Sequence, residues 1–231
     1  MRLHSPRTAD GASSAASAVS ATETIRAAIT SGRFAPNQRL VEAELSEQFG
    51  ASRAAVRNAL IELATEGLVE RIQNRGARVR AVSLDEAVEI TEVRMALEGL
   101  CAAKAAERAE EEDREALRGI AERMRAAVAG GDLLTYSALN QELHGLILRI
   151  GGQRTACAVL ERLHGQQVHH QFRLAMHPGR PSVSLPQHLA IIEAVCAGDA
   201  PAAEAAMRAH LASVVAALPE VDAGPVPPAG V

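Results

Sequence analysis

The sequence predicts a mainly α-helical protein, with an N-terminal winged helix-turn-helix followed by an all-α bundle of about six helices. Three observations lead there. Between Leu40 and Arg80, two short amphipathic stretches meet at a Gly-containing turn, and a short ribbon with partial period-two alternation follows them. From Ser83 onward the apolar residues recur at helical spacing, with nothing that resembles an alternating strand. Glycine-bearing breaks at Gly130-Gly131, Gly151-Gly152 and Gly198-Asp199 divide that second half into bundle-length helices.

The elements follow in order. Residues 1–19 are Ala/Ser-rich and read as a flexible tail, without the continuous apolar core of a signal peptide. Ser20 and Glu23 have capping-box spacing and open a first helix whose stripe is Ile25, Ala28 and Ile29; Gly32 ends it. A second helix covers about 42–49, with Leu45 and Phe49 facing the core. Gly50-Ala51 supplies the turn, and Ser52 caps a third helix over about 53–66 that Gly67 stops. Leu68–Ile72 and Ala77–Arg80 then form a small hairpin around Gln73-Asn74-Arg75-Gly76. Ser83 and Glu86 make a second capping box, which sets a first domain at 20–81 and a second at 82–218. The second domain's helices span about 84–107, 111–129, 132–150, 154–176, 185–197 and 200–217, with a loop from Pro178 to Pro186. Residues 219–231 are a Pro/Gly-rich tail.

Bulk properties narrow the function. The chain of 231 residues has a net charge of -4, but residues 20–80 hold nine Arg against seven Glu, and residues 81–231 thirteen Lys+Arg against twenty Asp+Glu. A phosphate-binding surface needs local positive charge, so an acidic total does not exclude DNA. Three widely spaced cysteines without a CxxC pair argue for a reducing cytoplasm. No run of 18 apolar residues exists, so a membrane partner is not expected. With no Trp, one Tyr and three Phe, the chain lacks material for an aromatic stacking platform on single strands.

Arg53 and Arg57 are spaced i,i+4 and share one face at the start of a helix able to enter a major groove. Arginine suits bidentate contacts to guanine or phosphate. Asn58 lies beside Arg57 within reach of a base edge, and Ser52 with the helix N-terminus suits a phosphate. Gly76 at the hairpin tip, flanked by Arg75 and Arg78, allows close approach to a minor groove. These residues predict double-stranded DNA as a partner. Two such heads in a homodimer would read a palindromic operator.

In the second half, His144, His188 and His210 fall on separate helices in similarly apolar settings, and Asn140 shares a face with His144. Imidazoles on rigid helices suit Zn²⁺, Ni²⁺ or another divalent ion, although a lone buried histidine is more often a hydrogen-bonded core residue. His164, His169 and His170, with Arg173, lie on a polar helix that lines the pocket, covers it or faces solvent.

Residues 22–80, in IRAAITSGRFAPNQRLVEAELSEQFGASRAAVRNALIELATEGLVERIQNRGARV, resemble the winged helix-turn-helix of the GntR family of bacterial transcription regulators. Residues 84–214 resemble the helical ligand-binding (FCD) domain of its FadR-type branch, with a VanR-like six-helix form as one option; VRMALEGLCAAKAA, LNQELHGLI and PQHLAIIEAVCAGDAPAAEAAMRAHL carry the likeness. The resemblance implies operator contacts from Arg53, Arg57 and Gly76, whereas the family's second-helix arginine falls at Ala43. It also implies a metal held by an Asp and three His. His144, His188 and His210 match the histidines, and Asn140 stands at the Asp position as a neutral, weaker donor. Zinc is the default, with nickel or manganese as options, and the metal engages a small carboxylate effector. The cavity could instead take an effector on the histidines directly. Arg94 would pair with that carboxylate and Glu98 would orient Arg94, unless the two form a surface i,i+4 ion pair.

The reading that follows is an effector-controlled repressor and not an enzyme. A metal-dependent hydrolase lacks a general base, since Glu142 points away from the Asn140–His144 face. An architectural DNA-binding protein with a purely dimerising second domain would have no use for internal polar positions.

Overall fold

The computed structural model describes residues 12–72 and 76–222, and these divide into two compact units, Met1–Ala81 and Val82–Val231.

In the first unit, α1 (Ala12–Thr30) packs on α3 (Arg53–Thr65), with α2 (Glu42–Phe49) against α3 and a small sheet alongside. Ile25, Ile29, Leu40, Val56 and Leu63 are essentially inaccessible and form the centre of this core. Each such aliphatic side chain contributes about 1.5–3 kcal/mol by leaving water. The α2–α3 turn is local chemistry: Gly50 adopts φ 63°, and the Ser52 hydroxyl accepts from the Ala55 N–H. The hairpin forms from β2 (Val69–Ile72) and β3 (Gly76–Val79). A two-residue strand, β1 (Arg39–Leu40), joins it in the antiparallel order β1-β3-β2. Arg39 stands opposite Arg78, and Leu40 opposite Ala77.

One expectation needs correction here, and one element was not foreseen. The first helix begins at Ala12, so Ser20 lies inside it and does not cap it. The β1 strand was not legible in the sequence.

The second unit is helical: α4 (Leu84–Arg108), α5 (Glu111–Ala129), α6 (Leu133–Gly151), α7 (Arg154–Gln166), α8 (Val168–Ala175), α9 (Arg180–Ala197) and α10 (Ala200–Asp222). The Ser83 hydroxyl caps α4 by accepting from the Glu86 N–H. Helix α4 is packed by α10, α6, α9 and α7. The C-terminal part of its buried face, Cys101, Ala102, Ala105 and Ala106, is built from small residues that let neighbours approach closely. At Gly151 a Cβ would lie 2.6 Å from the Cys101 carbonyl oxygen, so only glycine allows the end of α6 to rest on α4.

Three boundaries differ from expectation. The predicted 154–176 helix is broken at Gln167 into α7 and α8. The final helix runs on to Asp222, through Pro219. Most consequentially, the predicted Pro178–Pro186 loop is largely helix, because α9 starts at Arg180. Pro181 falls in the first turn, where a missing N–H costs nothing. Pro186 gives up one helical bond, but the buried face of Ser184, His188, Ile191, Ile192 and Val195 keeps the helix continuous.

Candidate functional site

On the first unit, Arg53, Arg57 and Asn58 are exposed at the N-terminal end of α3, as the spacing requires. The Ser52 hydroxyl is engaged as the helix cap. Two arginines carry partners that the sequence did not suggest. Arg57 forks onto the Glu42 carboxylate of α2, with Nε 3.2 Å and Nη2 2.9 Å from Oε2. The hydrogen bond from Arg57 holds the Glu42 carboxyl below the usual carboxylate range, against a smaller opposing effect of burial. Arg78 pairs across the hairpin with Glu70, Nε to Oε2 at 2.7 Å. Ala43 is exposed on α2. Arg75 lies outside the described residues. Gly76 has φ 89°, and a Cβ there would sit 2.5 Å from the Leu40 carbonyl oxygen. The close approach that demands glycine is therefore to β1 of the same sheet.

In the second unit, α6, α9 and α10 bring His144, His188 and His210 together. All three are buried, and one ring nitrogen from each lies within 4.8 Å of the others. Their outward nitrogens are each held. His144 Nδ1 is 2.7 Å from Glu98 Oε2, His188 Nδ1 2.9 Å from the Tyr136 hydroxyl, and His210 Nδ1 3.0 Å from Gln187 Oε1. A carboxylate and an amide oxygen only accept, so His144 and His210 donate through Nδ1, which leaves Nε2 as the ring nitrogen available to a ligand. His188 Nε2 lies 3.3 Å from His210 Nε2. Burial, reinforced by the neighbouring imidazoles, pushes His188 and His210 well below the usual imidazole range. They are thereby kept in the neutral form that ligates metals.

Asn140 Oδ1, one helical turn before His144, is buried and makes no hydrogen bond. Three convergent imidazoles whose outer nitrogens are already oriented, with an orphaned carbonyl one helical turn from His144, are a donor set that fits a divalent transition ion.

Glu98 is the hub beneath this cluster. Fully buried, its carboxylate takes Arg94 Nε at 2.9 Å, His144 Nδ1 at 2.7 Å and His164 Nε2 at 3.0 Å. Burial alone would favour the neutral acid, yet Arg94 and His144 override it and hold Glu98 well below the usual carboxylate range. Arg94 Nη1 also donates to Gln167 Oε1 at 3.0 Å, and Gln167 Nε2 to Thr91 Oγ1 at 3.0 Å. The Arg94–Glu98 pair is thus internal and not a surface ion pair. Of the histidines left open by sequence, His164 joins this hub, and burial lowers its affinity for a proton despite Glu98. His170 Nε2 meets the Val82 carbonyl oxygen at 2.9 Å. The side chain of His169 lies outside the described residues, and Arg173 is exposed.

Sequence reasoning missed Tyr136, Gln187 and Arg180, and left Gln167 open with the other polar residues of its helix. A signal existed for two of them: Tyr136, Asn140 and His144 fall at i, i+4, i+8 on α6, and Arg180, Ser184 and His188 do the same on α9. Arg180 Nη1 and Nη2 donate to the carbonyl and hydroxyl oxygens of Ser213, at 3.2 and 2.8 Å. Its Nε is buried without a partner.

One unit thus carries an exposed basic helix face, and the other a buried histidine cluster able to hold a metal ion. Residues 18–79 match the bacterial regulatory proteins of the gntR family, and residues 89–213 match the FCD domain. The chain belongs to the gntR family of bacterial regulatory proteins and carries an FCD domain. It is 30% identical over 181 residues to the HTH-type transcriptional repressor RspR of Escherichia coli (strain K12), covering 78% of this chain and 79% of the relative. It is also 30% identical over 196 residues to a probable D-xylose utilization operon transcriptional repressor of Paenarthrobacter nicotinovorans, covering 85% and 86%. The fold resembles that of E. coli McbR/YncC, with a TM-score of 0.77 at 21% identity over 88% of this chain and 97% of the other. The two relatives are regulators, not enzymes, and this chain is a regulator of the same kind. Among the described residues, no helix is long and apolar enough to cross a membrane.

Proposed function

We propose that the protein is a homodimeric repressor of the FadR-type branch, released from a palindromic operator by a small carboxylate bound at a divalent metal in the second domain. The carrying observation is the His144–His188–His210 cluster with its oriented outer nitrogens and the partnerless Asn140 carbonyl. The two relatives named as repressors support the sign of the response.

In this reading His144, His188, His210 and Asn140 hold the ion, with zinc first and nickel or manganese next. The bound ion supplies a Lewis-acidic position for one carboxylate. Glu98 fixes the His144 ring and increases its basicity as a donor, and Arg94 keeps Glu98 ionised, so both act on the effector through the ligand shell. Arg53, Arg57 and Asn58 read the major groove, Ser52 and the start of α3 take a phosphate, and Arg75, Gly76 and Arg78 form the wing contact. Arg57 must exchange Glu42 for DNA. Release requires that the acid bind the two dimer arrangements with different affinity, since equal affinity shifts nothing.

The test is metal analysis of protein purified without chelator, followed by operator binding with and without carboxylates. Stoichiometric metal and acid-dependent release are expected; no metal after reconstitution would sink the metal-bound reading. A histidine-only pocket has one observation in its favour. Tyr136, His188, His210 and Gln187 can form an unbroken hydrogen-bond chain if His188 carries its proton on Nε2.

A further inference from the structure

Arg180 is attached to the histidine cluster and, among the described residues, forms no ion pair. The link is continuous: Arg180 Nη2 donates to Ser213 Oγ, which donates to Gln187 Oε1 at 3.0 Å, and the same oxygen accepts from His210 Nδ1. The guanidinium's hydrogen-bond partners are neutral oxygens of Ser213, and its Nε is buried with none. Glu220 and Tyr136 lie within electrostatic reach, but neither forms an ion pair with it. Arg94 is the contrast, because Glu98 cancels its charge inside the core. A half-buried guanidinium without a carboxylate is costly unless something anionic arrives to pair with it.

We propose that Arg180 is the anchor for a second anionic group of the effector, so that the pocket selects a short dicarboxylic acid over a monocarboxylic one. Arg180, Ser184 and His188 lie along one face of α9, with about 12 Å of helix rise between the first and the last. The hydrogen bonds through Ser213 and Gln187 hold Arg180 Nη2 within about 9 Å of His210 Nδ1. One carboxylate at the histidine cluster and another at Arg180 therefore suit an acid of a few carbons. The planar fork of Arg180, with Nε as the unfilled donor, matches carboxylate geometry.

This inference rests on the carboxylate reading above, and the experiment separates the two. Succinate, glutarate and adipate are titrated calorimetrically into the zinc-loaded full chain, each against the monoacid of equal length: butyrate, valerate and hexanoate. At least one diacid should bind tenfold or more tightly than its matched monoacid. Arg180→Gln should bring that ratio to about one while leaving zinc content and monoacid affinity unchanged, and Arg180→Lys should fall between. A ratio unaltered by Arg180→Gln overturns the role of Arg180 alone, as does wild-type protein that binds monoacids equally well. Wild-type protein that binds neither class overturns both readings. If Arg180→Gln does not fold, Arg180→Lys decides: a ratio equal to wild type despite the lost fork overturns the proposal.

Discussion

The two units place their working residues in opposite environments. On α3 the arginines stand in solvent, and Arg57 is held only by a surface pair to Glu42. In the FCD domain the working groups are buried in the same core as Leu143, Ile191 and Leu211. An exposed ion pair exchanges readily for a phosphate or a base edge and weakens with salt. A buried imidazole or carboxylate has no such freedom, since each loss leaves an unpaired partner in a low-dielectric interior. The basic face of α3 is therefore built for exchange and the histidine cluster for fixed geometry.

The largest effect expected from this contrast is at the ligands. If the cluster holds the metal, His144→Ala or His188→Ala should abolish stoichiometric metal, and Glu98→Gln, which alters the carboxylate that holds His144 together with Arg94 and His164, should weaken it about 10- to 100-fold. Competition against a chromophoric chelator measures both; unchanged affinity in Glu98→Gln would break the hub.

Acid comes next. His188 and His210 are protonated less readily folded than unfolded, so above the ordinary imidazole value of 6.5 both states are neutral and stability is full. As pH falls through 6.5, the unfolded chain takes up protons that the folded core refuses, and stability drops. Glu98, held ionised in the fold, adds a loss in the same direction below its ordinary 4.5. Urea titration of metal-free protein at pH 7.5 and 5.5 should show the lower midpoint at 5.5, and equal midpoints would contradict the buried, neutral assignment.

On the reading head, Arg53→Ala with Arg57→Ala should cost about tenfold or more in operator affinity by fluorescence anisotropy, with little change in metal content. The smallest effect is expected for Glu42→Gln. Freeing Arg57 should tighten operator binding by a few fold at low salt, the gain shrinking as salt rises. Weaker binding would mean that Glu42 positions Arg57 instead of competing for it.

What the sequence showed and hid follows the range of the interactions. The Ser52 and Ser83 caps, the Gly50 turn and the hairpin were legible because each is settled within a few residues. The histidine triad was legible as three residues in apolar settings, aided by resemblance. Its outer partners were not, because Glu98, Tyr136 and Gln187 reach their imidazoles across 46, 52 and 23 residues. Arg180 was hidden for a local reason: Pro181 and Pro186 read as a loop, and only burial of one α9 face carries the helix through them.

By itself, then, the chain indicated a helix-turn-helix followed by a helical bundle and the arginine pair of α3, because helical periodicity and caps are written in neighbouring residues, while the candidate ligands came from its resemblance to a known family. Tertiary structure decided which charges are already satisfied. It paired Arg57 with Glu42 and Arg94 with Glu98, and left Arg180 Nε and Asn140 Oδ1 buried without partners. Pairing depends on which helices pack together, and that is set by the whole core.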